Sequence, residues 1–261
     1  MLSSTRAGRS GSSRSLPSVT FINVHKGAST FIADEFSHAV QQAMPDLAVC
    51  RLGSELLNGS TYEEMSIPSE RQLTTRVYPG DAELLYIDGA KVGDLSGIRL
   101  VLVHRDPRDA AVSHYYSVAQ SHSLEVRKPE HLLRLRHQLE GLDAQDGIEL
   151  VAKTALREFR AIRALASRYP DALVTSYEDL VTDYPGWLQQ FWTYAGWPSE
   201  LRSLVAKQTA ESFVPPLVAD PSVHKRRITP GNWREVFDDR LAAMFEDEVG
   251  TLLSDCGYTW D

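Results

Sequence analysis

The sequence is short of several things, and each absence narrows what the chain can be. Its 261 residues include only two cysteines, Cys50 and Cys256, which gives no disulfide framework and suits a reducing compartment, so a cytoplasmic protein is expected. No run approaches the roughly twenty apolar residues that span a bilayer, so no stable membrane insertion is expected. There is no His-Glu-x-x-His, no cysteine pair at zinc spacing and no cluster of aspartates of the kind a magnesium-dependent transferase uses, which predicts chemistry without a metal. Basic residues are outnumbered, 27 Lys and Arg against 35 Asp and Glu, for a net charge of -8. That balance argues against general nucleic-acid binding, and a polyanionic ligand would need basic groups gathered in one place. Acidic residues are missing from Met1 to Ser18, which are rich in serine, glycine and arginine and show no apolar period. The reading is a disordered tail over 1–18 followed by one domain over 19–261.

What is present is an alternation of apolar strands and amphipathic helices. Strands are predicted at Val19 to Val24, Leu47 to Arg51, Leu84 to Asp88, Arg99 to His104 and Ala172 to Ser176. Helical spacing runs from Ile148 to Arg168 and again from Asp238 to Leu253. The pattern predicts an α/β, three-layer P-loop-like fold with a central parallel sheet flanked by helices.

Three segments carry anion chemistry. The run from Val101 to Ser113 reads as a buried strand entering a helix, with Arg105 at the junction, Pro107 in the first helical turn and Asp109 near the positive helix end. Arg105 and Ser113 bracket a space suited to a phosphate monoester, which a planar guanidinium meets with a two-pronged fork. A structural ion pair is the other reading of such an arginine. His25-Lys26-Gly27-Ala28-Ser29-Thr30 follows the first strand and offers hydroxyls, backbone N–H groups and a mobile ammonium at a helix start. The glycine that a Walker loop needs well upstream of its lysine is absent, which disfavours a nucleoside triphosphatase. A basic cluster, Lys225 to Arg227, then precedes a Pro230-Gly231 turn.

Taken in order, these segments resemble the sulfotransferases that use 3'-phosphoadenosine-5'-phosphosulfate. The family's Pro-Lys-Ser-Gly-Thr-Thr-Trp loop is similar to His25 through Phe31, with Ala28 in place of the glycine. Its Arg-x-Pro-x-Asp motif, with a serine eight residues after the arginine, is matched by Arg105, Pro107, Asp109 and Ser113. Its C-terminal Arg-Lys-Gly-x-x-Gly-Asp-Trp-Lys segment resembles Arg226 through Arg234, with Ile228 in place of the first glycine. Ser176-Tyr177-Glu178-Asp179 resembles the family segment beside the adenine.

The resemblance implies a sulfotransferase moving a sulfuryl group from that donor to an acceptor hydroxyl or amine by in-line displacement, leaving 3',5'-adenosine bisphosphate (PAP). It implies that Lys26, Gly27, Ala28, Ser29 and Thr30 hold the 5' end of the donor and that Phe31 lines the adenine pocket. Arg105, Ser113, Arg226 and Arg227 would hold the 3'-phosphate, with Tyr177 at the base, and Lys26 would steady the charge growing on the bridging oxygen. A small-molecule or glycan acceptor is expected. The general base is a separate matter. The region where cytosolic relatives place a histidine, Gln72 to Pro79, has none. Glu55 is the first candidate by analogy with glycan-acting branches, followed by Glu35, with Tyr78 and His122 as further options. Two other readings stand beside this one. They are a non-catalytic nucleotide-binding relative, which the missing histidine and Ala28 would suit, and a nucleotide-dependent kinase of similar fold.

Overall fold

The computed structural model describes residues 16–91, 95, 98–121, 129–213 and 228–260. Five strands form the main sheet in the order β2-β3-β1-β6-β7: β1 (Val19–Asn23), β2 (Ala48–Arg51), β3 (Gln72–Val77), β6 (Arg99–His104) and β7 (Leu173–Ser176). Every neighbouring pair is parallel. Two short strands, β4 (Tyr86–Ile87) and β5 (Ala90–Lys91), make a separate antiparallel pair.

Helices cover both faces. The chain passes from β1 through α1 (Ser29–Phe31), a π turn (Ile32–Phe36) and α2 (Ser37–Ala43) to β2, and α3 (Leu52–Asn58) follows β2. After β6 come α4 (Pro107–Tyr116), a π turn (Ser117–Ser121), α5 (Pro129–Leu139) and the long α6 (Ala144–Arg168). Beyond β7 lie α7 (Tyr177–Thr182), α8 (Tyr184–Ala195), α9 (Arg202–Thr209) and α10 (Asp239–Asp255). Among the described residues, no helix is long and apolar enough to cross a membrane.

Strand side chains alternate between two cores, as a pleat requires. Val19, Phe21, Val101 and Val103 enter one core with Phe36, Trp187 and Phe191, where Phe21 stacks on Phe191 at 5.2 Å between ring centres. Ile22, Val24, Leu100 and Leu102 enter the other with Ile162 of α6 and Leu52 of α3. A third core joins α4, α6 and α10 through Ala111, Phe159 and Phe245.

Two expectations need correction. The strand between β2 and β6 is Gln72–Val77, whereas Leu84 to Asp88 contributes only Tyr86–Ile87 to the small antiparallel pair. The polar composition of β3 hid it, because Gln72, Thr74 and Thr75 are all buried in mid-sheet, and the Gln72 side-chain amide donates to Thr74 Oγ1 at 2.9 Å. Such pairing removes most of the cost of burying polar groups. The tail boundary also moves. Pro17 bridges Glu70, the Leu16 carbonyl accepts from Arg71 N, and Ser18 is fully buried. These three residues belong to the fold, and 1–15 lie outside the described residues.

The topology fixes where a site can form. From β1 the chain leaves toward β2 and β3, and from β6 it leaves toward β7 on the opposite side. The connections therefore diverge between β1 and β6, and the crevice beyond the carboxyl ends of these two strands is where open α/β sheets bind ligands.

Candidate functional site

The loop after β1 is a tight turn. Val24 N donates to Val103 O of β6 at 3.1 Å and Gly27 N donates to Val24 O at 3.0 Å. A Cβ on Gly27 would stand 3.0 Å from that same carbonyl oxygen, so only glycine fits without a shift. Lys26 and Ala28 both occupy the left-handed region, at φ 63° and 62°, a conformation that costs an L-residue about 1–2 kcal/mol. The result is a loop that turns Lys26 inward and presents the first N–H groups of the helix beginning at Ser29.

Lys26 Nζ donates to Ser117 Oγ at 3.2 Å. Burial, then repulsion from Arg105, pulls the ammonium down to about 8. A cation held this way has a standing affinity for an anion, since a negative ligand offsets both penalties.

Arg105 follows β6 and is 6% exposed. One guanidinium nitrogen, Nη1, donates to the Lys26 carbonyl at 2.7 Å, and the guanidinium carbon lies 4.0 Å from the centre of the Tyr177 ring. Its Nε is buried without a hydrogen-bond partner among the described residues. Tyr177 in turn donates its hydroxyl to the Ile228 carbonyl at 2.9 Å. The C-terminal segment is thereby tied beside Arg105. Its Arg226 and Arg227 lie outside the described residues.

The start of α4 is built as a rigid support. Asp106 caps the helix by accepting from Arg108 N at 2.9 Å and also takes a forked contact from the Arg108 guanidinium at 2.9, 3.1 and 2.7 Å. Arg108 lies between Trp233 and Trp260, 3.9 and 4.4 Å from their ring centres. Asp109 accepts from Gly231 N and Trp233 N. Ser113, two turns along α4, is half-buried. Glu178 accepts from Asp106 N at 3.2 Å and from the Tyr258 hydroxyl at 2.9 Å, and burial raises its carboxyl.

A second cluster adjoins Lys26. The backbone N of His25 donates to Glu158 Oε2 at 2.6 Å, and His25 Nδ1 contacts Glu158 Oε1. Tyr78, just past β3, stacks on the His25 ring at 3.8 Å with an 8° tilt, and His114 of α4 lies 6.4 Å away. Burial raises the Tyr78 phenol while its contact with Ser29 opposes this. A phenol that holds its proton is a donor, and that weighs against Tyr78 as a base.

The structure thus brings Lys26, Arg105 and Tyr177 into one contact chain with Ser117 on Lys26, while Ser29 contacts Tyr78 and Ser113 lies on α4 one turn before Ser117. Thr30 is exposed at the helix start. Other expected residues fall elsewhere. Phe31 is buried in the first core, with its ring 6.2 Å from Phe36 and 5.9 Å from Tyr184. Glu55 is exposed on α3 after the edge strand β2, and no described contact links it to Lys26, Arg105 or Ser113. Glu35 sits in the π turn after α1, and His122 is outside the described residues.

Sequence reasoning named His25 only as the start of the Lys26 loop and did not single out Glu158 or Ser117. Glu158 left a trace, since it is the one charge at core spacing between Ala155 and Ile162. Ser117 left another, since it stands one helical turn past Ser113.

A parallel α/β sheet with buried basic groups gathered at its switch point defines a class, the P-loop-like anion-binding proteins. The model of the sulfotransferase domain matches residues 95–257, which is more than half of the chain and takes in Arg105, Ser113 and Tyr177. The chain belongs to the sulfotransferase family. No curated protein sequence matches it. Among solved structures, mouse sulfotransferase SULT7A1 complexed with PAP is similar at a TM-score of 0.53 and 15% identity, over 92% of this chain and 86% of that one. Retinol dehydratase in complex with androsterone and the inactive cofactor PAP is similar at 0.52 and 16%, over 91% and 81%. A complex of retinol dehydratase with retinol and PAP gives 0.50 and 14%, over the same shares. At these identities the likeness is one of fold.

Proposed function

We propose that this sulfotransferase takes its sulfuryl group from 3'-phosphoadenosine-5'-phosphosulfate at the crevice between β1 and β6 and delivers it to a hydroxyl or amine. One observation carries the reading, the meeting of Lys26 and Arg105 through the 2.7 Å bond, with the Arg105 Nε buried and lacking a partner among the described residues. A buried donor without an acceptor is costly, and a phosphate oxygen would satisfy it. The residues present fit the donor. Arg105 and Ser113, with Arg226 and Arg227 of the segment outside the described residues, would hold its 3'-phosphate, and the N–H groups from Ala28 to Thr30 with the hydroxyls of Ser29 and Thr30 would hold its 5' end. Tyr177 borders the base while it carries Arg105 on its ring.

When bound, the donor supplies the activated sulfur. The chain supplies positioning and charge. Lys26, held by Ser117, would offset the negative charge that collects on the leaving oxygen. The acceptor is of small-molecule or glycan size, and Cys50 and Cys256, both free thiols, suit a cytoplasmic setting. Donor labelled in its sulfuryl group, incubated with phenols, aliphatic alcohols and amines, tests the proposal. Label should pass to at least one acceptor with the wild type and to none with Lys26→Ala. Magnesium-dependent ATP turnover with no label transfer would instead support a kinase.

A further inference from the structure

We infer that His25, held by the buried carboxylate of Glu158, is the general base that takes the acceptor's proton, an inference that rests on the donor reading above. Sulfuryl transfer to a hydroxyl requires such a group within reach of the donor's sulfur. His25 immediately precedes Lys26, and its side chain is 42% exposed while that of Glu158 is 7% exposed. The imidazole therefore has one edge against a buried carboxylate and remains partly exposed beside Lys26.

The contact fixes the ring's chemistry. An ionised carboxylate only accepts hydrogen bonds, so the Nδ1 that meets Glu158 Oε1 carries the proton and Nε2 keeps its lone pair. Nε2 has no hydrogen-bond partner among the described residues. The other Glu158 oxygen accepts from the His25 backbone N–H at 2.6 Å, so the carboxylate locks loop and ring together. Tyr78 on one face, at 3.8 Å, sets the ring plane. The charged and titratable groups facing the imidazole are Glu158 from α6, Tyr78 after β3, His114 from α4 and the neighbouring Lys26. Of these, only Glu158 is an anion touching the ring, and it stabilises the imidazolium that forms, as the carboxylate of a Ser-His-Asp triad does.

The step balances. As the acceptor oxygen bonds to sulfur, its proton passes to His25 Nε2. The bond between sulfur and the bridging oxygen breaks, with its electron pair staying on the leaving phosphate beside Lys26. The imidazolium then gives its proton to water. Glu158 stays ionised throughout and is a positioning residue.

Two readouts test this in the full chain. In the first, ¹⁵N NMR of histidine-labelled wild type should show His25 protonated on Nδ1, and Glu158→Gln, whose amide group can donate to Nδ1, should move the proton to Nε2. This readout needs no acceptor. In the second, His25→Gln, His25→Asn and Glu158→Gln should bind PAP within about threefold of wild type, yet turn over the best acceptor about 100-fold or more slowly. The acid limb of the wild-type kcat profile should also vanish in the His25 variants. An Nε2–H tautomer in the wild type, or a His25→Gln enzyme with wild-type kcat and the same acid limb, would overturn the inference. A wild type that binds no PAP would overturn the donor reading itself, which separates the two failures.

Discussion

The carboxylate of Asp109 receives two backbone N–H groups from a segment far along the chain, Gly231 at 2.6 Å on one oxygen and Trp233 at 2.9 Å on the other. The start of α4 and the Pro230-Gly231 turn are therefore one unit, and the helix that carries Arg108 and Ser113 is braced by the segment that follows Arg226 and Arg227. Near the positive end of α4 the carboxylate also meets the helix dipole favourably.

Replacing Asp109 with asparagine puts an amide group where one acceptor oxygen stood, so one of the two N–H groups loses its partner. A hydrogen bond to a charged group contributes about 1.5–3 kcal/mol. Urea unfolding of Asp109→Asn should show a loss of that size, together with weaker PAP binding. Unchanged stability would mean that the brace carries no energy.

Tyr177 performs two tasks that substitution can separate. Tyr177→Phe keeps the ring 4.0 Å from the Arg105 guanidinium and loses only the bond to the Ile228 carbonyl, at a cost of about 1 kcal/mol. Tyr177→Ala also removes the platform under Arg105. PAP affinity measured on both variants should fall modestly for phenylalanine and much further for alanine.

Lys26 titrates near 8 because burial and Arg105 disfavour its charge. An anionic ligand beside it favours the charged form and raises the pKa, so binding takes up a proton where the free lysine is partly neutral. Calorimetry in buffers of different ionisation heat should therefore show uptake by Lys26 at about pH 8.5, absent in Lys26→Met, and affinity should fall as pH rises through 8.

His104 is pulled down to about 4, first by burial and then by Arg163. Unfolded, it takes a proton near 6.5, whereas folded it stays neutral to about 4. Below 6.5 the unfolded state binds more protons, so acidification from 6.5 to 4 should erode stability. His104→Gln should flatten that part of the stability profile.

Much of the fold was legible because β1 and β6 are largely apolar runs, and a run buried on both faces marks a parallel strand. The strand β3 was not, since Gln72 pairs with Thr74 and Thr75 finds the Cys50 carbonyl of β2 only once the sheet exists. The site was legible in the same uneven way. Arg105, Pro107, Asp109 and Ser113 share one short stretch, so spacing alone displays them. His25 and Glu158 stand 133 positions apart, and only the packing of α6 against the end of β1 makes them neighbours.

The measurement that bears most directly on the central claim is calorimetric binding of 3',5'-adenosine bisphosphate and of 5'-AMP to the wild type and to Arg105→Ala. The account predicts tight binding of the bisphosphate, much weaker binding of 5'-AMP, and a loss of about 10- to 100-fold for the bisphosphate in the variant. Equal binding of both nucleotides, or an Arg105→Ala protein that holds the bisphosphate as tightly as the wild type, would contradict it.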